Sequence, residues 1–185
     1  MHETVWICQC GQVELAVDTA GGTRAVCYCD SCRGFVTRLG AADILDPSGG
    51  NDLYQVAPEA AAFRKGADKV AWTRMTAKGP ARWFTTCCQT PLANTLPTRT
   101  IPFLTLQSAY IAHQAALGDI HIRTFTDHAI GAEKPTKAGM VRLLSEFALR
   151  ALRSRLNGGW RRNPLFDAAG KTIGPNVPLD DLLAP

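Results

Sequence analysis

Seven cysteines fall into three short clusters, CQCG at 8–11, CYCDSC at 27–32 and TTCCQTPL at 85–92. Spacings of C-x-C and C-x-x-C bring neighbouring sulfurs within reach of one ion, and a structural tetrahedral site takes four ligands, commonly thiolates. This clustering constrains the fold more than any other feature, because packing alone gives no reason to space a rare residue this way. Seven thiols divide into four and three. Cys8, Cys10, Cys87 and Cys88 would close one tetrahedron, while Cys27, Cys29 and Cys32 would leave a fourth position for a substrate or a water. Unligated packing and a redox pair are the alternatives to metal binding. The adjacent Cys87 and Cys88 need a turned backbone, since neighbours in a regular strand point to opposite faces. Otherwise Cys88 alone joins Cys8 and Cys10, and Cys87 either packs as a small apolar residue or completes the other site.

A chain of 185 residues suits one domain, or one domain with an extension, and builds a core without disulfides. The first residues carry neither a basic segment nor an apolar stretch, and nowhere do about 18 apolar residues run unbroken. Neither secretion nor membrane spanning is therefore expected, and a cytoplasmic location is. In that reducing compartment an odd number of clustered cysteines favours thiolate ligation or reactive thiols over a disulfide framework. The net charge of +4 lies wholly in the last fifty residues, where eight Lys and Arg stand against four Asp and Glu. Such a basic tail is expected to be a solvated helix face, with nucleic acid or an acidic surface as the rarer use.

Most of the chain reads as short strands. Val13, Leu15 and Val17 alternate in VELAV, Val70 and Trp72 in KVAWTRM, and Ile120 and Ile122 precede Phe125 in DIHIRTF. Turn clusters separate them at 19–22, 46–52, 64–68 and 77–80, which predicts a mainly β, antiparallel body. Beyond residue 136 the pattern becomes helical. Met140, Val141, Leu143, Leu144, Phe147, Ala148, Ala151 and Leu152 form a stripe expected to dock on the strands. Arg142, Glu146 and Arg150 stand on the other side, and Gly158 and Gly159 end the helix. Residues 1–135 are thus read as a zinc-binding β domain and 136–185 as a basic amphipathic helix with a loop wrapping the surface.

The ordered thiol motifs resemble the glutathione-dependent formaldehyde-activating enzyme family, whose domain is shared with centromere protein V. That pattern opens with C-x-C-G, present as Cys8, Cys10 and Gly11, and continues with C-x-C-x-x-C and a basic residue, present as Cys27, Cys29, Cys32 and Arg33. A Gly-x-Asp before a strand matches GADKVAW, with Trp72 where the family often has Tyr. The pattern closes with an aromatic residue, C-x-x-C-G and Pro or Leu, against RWFTTCCQTPL here. Thr85 stands at the first cysteine of that last motif, Cys88 at the second and Gln89 at the glycine, and the resemblance makes Cys87 the candidate to substitute for the missing ligand. The resemblance spans about residues 5–125. It implies a zinc-stabilised β sandwich or tent of the Mss4-like kind, in which the first and last motifs share a structural zinc and the middle motif holds a labile one.

Three thiolates on Zn²⁺ leave a net charge near −1, a poor source of hydroxide but a dock for a soft incoming thiol such as glutathione. The expected activity is a carbon–sulfur lyase acting on glutathione and formaldehyde or a related thiol adduct, with Cys27, Cys29 and Cys32 at the reacting centre. Arg33, with Arg24 or Arg38 as helpers, is expected to receive the ligand's carboxylates by paired hydrogen bonds. Thiol and aldehyde are the expected small-molecule partners. A zinc-built module holding nucleic acid or protein through the basic tail and WRR at 160–162 is the main alternative, and a redox or metal-sensing role is the third. His2, His113, His121 and His128 are isolated and read as ordinary histidines. Trp6, Trp72, Trp83 and Phe84 are expected to fill the core or rim a pocket.

Overall fold

The alternation in the second strand is the most regular in the chain, and Val13, Leu15 and Val17 are all fully buried. In the computed structural model, which describes residues 2–182, that strand is the centre of a small antiparallel sheet. Its order is β1 (Glu3–Ile7), β2 (Glu14–Asp18), β5 (Ala61–Lys65). A larger sheet of seven strands runs in the order β10 (Arg123–Thr124), β3 (Thr23–Cys27), β4 (Asn51–Val56), β9 (Leu104–Gln107), β8 (Pro91–Thr95), β7 (Ala81–Thr85), β6 (Val70–Thr73). Every pairing is antiparallel except that of β10 with β3. The mainly β class expected from the turn punctuation is the class observed. No helix among the described residues is long and apolar enough to cross a membrane.

The main core joins the two sheets. Trp6, Leu15 and Val17 from the small sheet meet Tyr54, Leu104, Leu106 and Trp83 from the large one. Side chains alternate along a strand, so the intervening residues of the large sheet face the other way. On that far face Thr23, Gln55, Thr105, Asn94, Arg82 and Thr73 stand opposite one another in register across six strands. All six are buried. Helix α1 (Asp30–Arg38) covers part of the same face, laying Phe35, Val36 and Leu39 on Ala71 and Phe84. The strand-dominated reading did not include this helix, although Cys32, Phe35, Val36 and Leu39 already carry helical spacing.

Helix α2 (Met140–Leu156) forms where expected and ends at Gly158, whose φ of +74° lies in the left-handed region that glycine adopts freely. Its orientation differs from the expected one. The side that docks carries Glu146, Arg150 and Ser154 beside half-buried Leu143 and Phe147, while Val141, Leu144, Leu149, Leu152 and Leu156 are exposed. The receiving surface explains the rotation: it presents the polar Thr23 and Gln55, and Arg150 bonds both of them and also Gly21 O at 3.0 Å. Thr23 in turn donates to Glu146, and Ser154 to Glu59 at 2.7 Å.

The segment after α2 does more than wrap the surface. Leu165 and Phe166 enter the main core, Phe166 lying edge-on to Trp83 with ring centroids 6.4 Å apart. Residues Pro175 and Val177 pair with the backbone of Trp72 at 3.0 and 2.8 Å. Strand β6 is the last of its sheet, and this pairing covers an edge that would otherwise expose unpaired backbone groups.

Candidate metal centres and the adjoining cavity

The first cysteine motif is a turn that follows β1. Gly11 N donates to Cys8 O at 2.9 Å, and Val13 N donates to Cys8 Sγ at 3.2 Å. Gly11 closes the turn at φ +70°, a conformation a Cβ would disfavour. Facing it is the β7–β8 connection, where residues 86–88 form a turn and Thr85 N bonds Thr90 O at 3.0 Å. Gln89 takes φ +54° there, so the backbone turns as the adjacent Cys87 and Cys88 require.

The result is a cluster of four sulfurs. Cys8 and Cys10 lie 3.6 Å apart, Cys10 and Cys87 3.3 Å, Cys8 and Cys87 4.0 Å, and Cys87 and Cys88 3.8 Å. Metal–sulfur bonds of about 2.3 Å in a tetrahedron separate sulfurs by about 3.8 Å, so the donor set fits a four-coordinate ion. Burial acts to raise the Cys88 thiol, but the hydroxyls of Thr85 and Thr90, at 3.3 and 3.1 Å, outweigh it and hold the group at about 6. Cys87 is pushed up to about 12 by burial and by its hydrogen bond with Cys10. One thiolate among hydrogen-bonded thiols is the metal-free form of such a site, and an ion replaces the shared protons.

The second cluster joins β3 to α1. Cys27 ends the strand, Cys29 is the N-cap of the helix and Cys32 lies in its first turn. Cys27 and Cys29 sulfurs are 3.4 Å apart, and Cys32 N donates to Cys29 Sγ at 3.4 Å. Hydrogen bonding from Cys27, then from Cys32, holds Cys29 near 2, with the Arg82 charge acting in the same direction. Cys27 is correspondingly pushed far above the ordinary thiol range. The three sulfurs lie within 4.8 Å of one another and could hold a metal ion, with no fourth side-chain ligand in the group.

All three also line a cavity of about 240 Å³. Arg82 reaches this centre from β7 and was missed in the sequence. Its Nη1 donates to Cys32 Sγ at 3.4 Å and to Asn94 Oδ1 at 2.9 Å, and its Nη2 to Ser31 Oγ at 2.8 Å. The signal was present in ARWFT. Trp83 faces the core, so the pleat sends Arg82 to the opposite side, where a buried cation requires partners. Arg33, expected to bind a ligand, instead pairs with Asp30 and donates to the carbonyls of His128 at 3.0 Å and Tyr28 at 3.3 Å. It does not line the cavity. Arg24 is likewise engaged, with Asp52 at 2.7 Å. His128 lies 3.0 Å from Asp30, and no histidine joins either thiol cluster among the described residues. Trp6, Trp83 and Phe84 are core residues, and Trp72 packs partly buried beside them.

A family model described as "Family of unknown function (DUF6151)" matches residues 2–174. Among solved structures, a Rhodobacter sphaeroides protein determined by structural genomics aligns at a TM-score of 0.42 and 20% identity, over 63% of this chain and 96% of that one. The functionally curated proteins contain no match.

Proposed function

The chain belongs to the family of unknown function DUF6151, and from that premise we propose the activity from the site itself: a zinc-dependent carbon–sulfur lyase type of reaction. It forms or cleaves the adduct of a thiol such as glutathione with an aldehyde such as formaldehyde. The observation that carries this reading is the pairing of a four-sulfur cluster with a three-sulfur cluster that opens on a cavity. Cys8, Cys10, Cys87 and Cys88 would hold a structural zinc in a sandwich of the Mss4-like kind. Cys27, Cys29 and Cys32 would hold a labile one. Zinc bound there would keep an incoming thiol ionised near neutral pH.

The chain's own residues support the rest. The Arg82 guanidinium offsets the negative charge of three thiolates around a divalent ion and, through Ser31 and Asn94, fixes the orientation of the first turn of α1. The N–H of Cys32 stabilises charge on Cys29. Leu53, Phe103 and Leu143 share the cavity lining with the three sulfurs and give the reacting carbonyl an apolar surround.

Metal analysis and a glutathione-dependent assay of formaldehyde consumption test the proposal. Two zincs per chain are expected, one released by a mild chelator, with turnover lost in Cys29→Ser while the tighter zinc remains. A single zinc and unchanged turnover in Cys29→Ser would overturn it. A second reading, a zinc-built module that holds a protein or nucleic acid through the tail, draws on the exposed leucines of α2 and the cluster of Arg155 and Arg161 around Trp160. Salt-sensitive binding without turnover is its signature.

A further inference from the structure

We propose that the cavity beside Cys27, Cys29 and Cys32 selects carbonyl compounds, or their thiol adducts, whose carbon skeleton is apolar and longer than one carbon. The inference rests on reading the three-thiol centre as a thiol-adduct site and names the class of its second substrate.

The floor of the cavity is polar in composition, and part of its hydrogen-bonding capacity is used within the protein. Arg150 occupies Thr23 and Gln55, and Arg82 occupies Asn94. Two polar atoms of the lining are left without partners, Thr105 Oγ1 and Arg82 Nε. Both belong to residues more than nine-tenths buried, with exposures of 6% and 3%. Both atoms are shut off from the open space, so the surface that a ligand meets is mainly carbon.

The roof is apolar. Leu143 of α2, Phe103 and Phe125 line it, and Phe103 meets Phe147 edge-on at 5.8 Å, which ties the helix down over the cavity. A one-carbon aldehyde has no group to fill such a chamber. Phe125 adds an independent sign. It follows Thr124, the β10 residue paired with Cys27, and adopts φ +56° while half exposed. A bulky residue in the left-handed region is strained, and such strain concentrates at binding sites. Glycine would relieve it, so the ring at the mouth serves contact rather than folding.

Addition joins the thiol sulfur to the carbonyl carbon and moves the thiol proton to the carbonyl oxygen; cleavage is the reverse, with no change in oxidation state. Each methylene buried corresponds to about 0.8 kcal/mol, a preference of about fourfold per carbon. The test uses the zinc-loaded full chain with glutathione and formaldehyde, butanal or phenylacetaldehyde, following adduct turnover and, by saturation-transfer NMR, adduct binding. The inference expects butanal and phenylacetaldehyde adducts to exceed formaldehyde adduct in kcat/KM and in binding. Leu143→Trp, which fills the chamber, should weaken the larger adducts at least tenfold more than the formaldehyde adduct. Phe125→Gly should weaken them without lowering Tm. If formaldehyde is preferred and both variants affect all adducts equally, the inference falls and the lyase reading stands. If no glutathione adduct binds or turns over, both fall.

Discussion

Arg82 and Cys32 are in direct contact, guanidinium Nη1 to sulfur at 3.4 Å, so a buried cation on β7 is fastened to the first turn of α1. A divalent ion held by the three thiolates would carry a net charge near −1, and Arg82 would bring such a centre close to neutral. Partners of this kind around a metal are worth about 10- to 100-fold in affinity. Arg82→Met is expected to weaken metal binding at the three-sulfur cluster by that range while leaving binding at the four-sulfur cluster unchanged. Arg82→Lys keeps the charge, loses the fork to Ser31 and Asn94, and should fall between. Chelator competition followed metal by metal gives the answer.

The two clusters should differ in what they stabilise. Apparent binding energies at structural zinc–thiolate sites run to about 10–16 kcal/mol, more than a domain's usual net stability of about 5–15 kcal/mol. Cys10→Ser is therefore expected to leave little folded protein, because Cys10 links the β1–β2 turn to the β7–β8 turn through Cys87. Cys29→Ser should keep the fold, with its loss confined to metal content and turnover. Thermal unfolding of both variants, with and without chelator, separates these outcomes.

The C-x-C and C-x-x-C clusters were legible because they are local signals, whereas the joining of Cys87 and Cys88 to Cys8 and Cys10 rested on counting thiols and left the place of Cys87 open until the turn at 86–88 was seen. The alternation that buries Val13, Leu15 and Val17 was also legible. What spacing could not carry was direction in space. Arg33 is adjacent to Cys32 in sequence but turns toward Asp30, whereas Arg82, fifty residues away, is brought to Cys32 by the pleat of a distant strand. The face of α2 was misjudged for the same reason: its stripe of leucines identifies a helix, but only the polar surface formed by Thr23 and Gln55 decides which side docks.

Gln89 occupies the left-handed region at φ +54° in the turn that presents Cys87 and Cys88. That conformation costs an L-residue about 1–2 kcal/mol, and glycine avoids the cost while giving back about 0.5–1 kcal/mol through a more flexible unfolded chain. Gln89→Gly is expected to leave stability unchanged or raise it by up to about 1 kcal/mol. Gln89→Val, with its branched side chain, should lower it by at least that amount. Urea unfolding of the two metal-loaded variants tests this, and a stability loss in the glycine variant contradicts it.

Acid should loosen α2 through Glu146. Burial opposes ionisation there, but the hydrogen bonds from Thr23 and Arg142, the latter 2.7 Å away, prevail and lower the pKa from the ordinary 4.5. A depressed carboxylate contributes stability that is present above its unfolded value and lost as pH falls through the folded one. Docking of α2 is therefore expected to weaken only below about pH 4.5. Glu146→Gln should remove this pH dependence. Amide exchange within α2, compared between wild type and Glu146→Gln along an acid series, measures it independently of metal loss.

Arg150 and Leu152 reverse the usual expectation for an amphipathic helix. Leu152 is 56% exposed, whereas Arg150 is 9% exposed and donates to Gly21, Thr23 and Gln55. Replacing an exposed leucine changes stability by no more than about 0.5 kcal/mol, so Leu152→Gln should unfold with wild-type stability. Arg150→Met keeps most of the aliphatic bulk but leaves three acceptors unpaired, at a cost of about 1–3 kcal/mol for each that water cannot reach. The methionine variant is expected to be clearly less stable than the glutamine variant, and the cavity roof at Leu143 should open with the helix. Urea unfolding ranks the two; a larger loss for Leu152→Gln would mean that the leucine stripe, and not the polar face, holds α2 to the sheet.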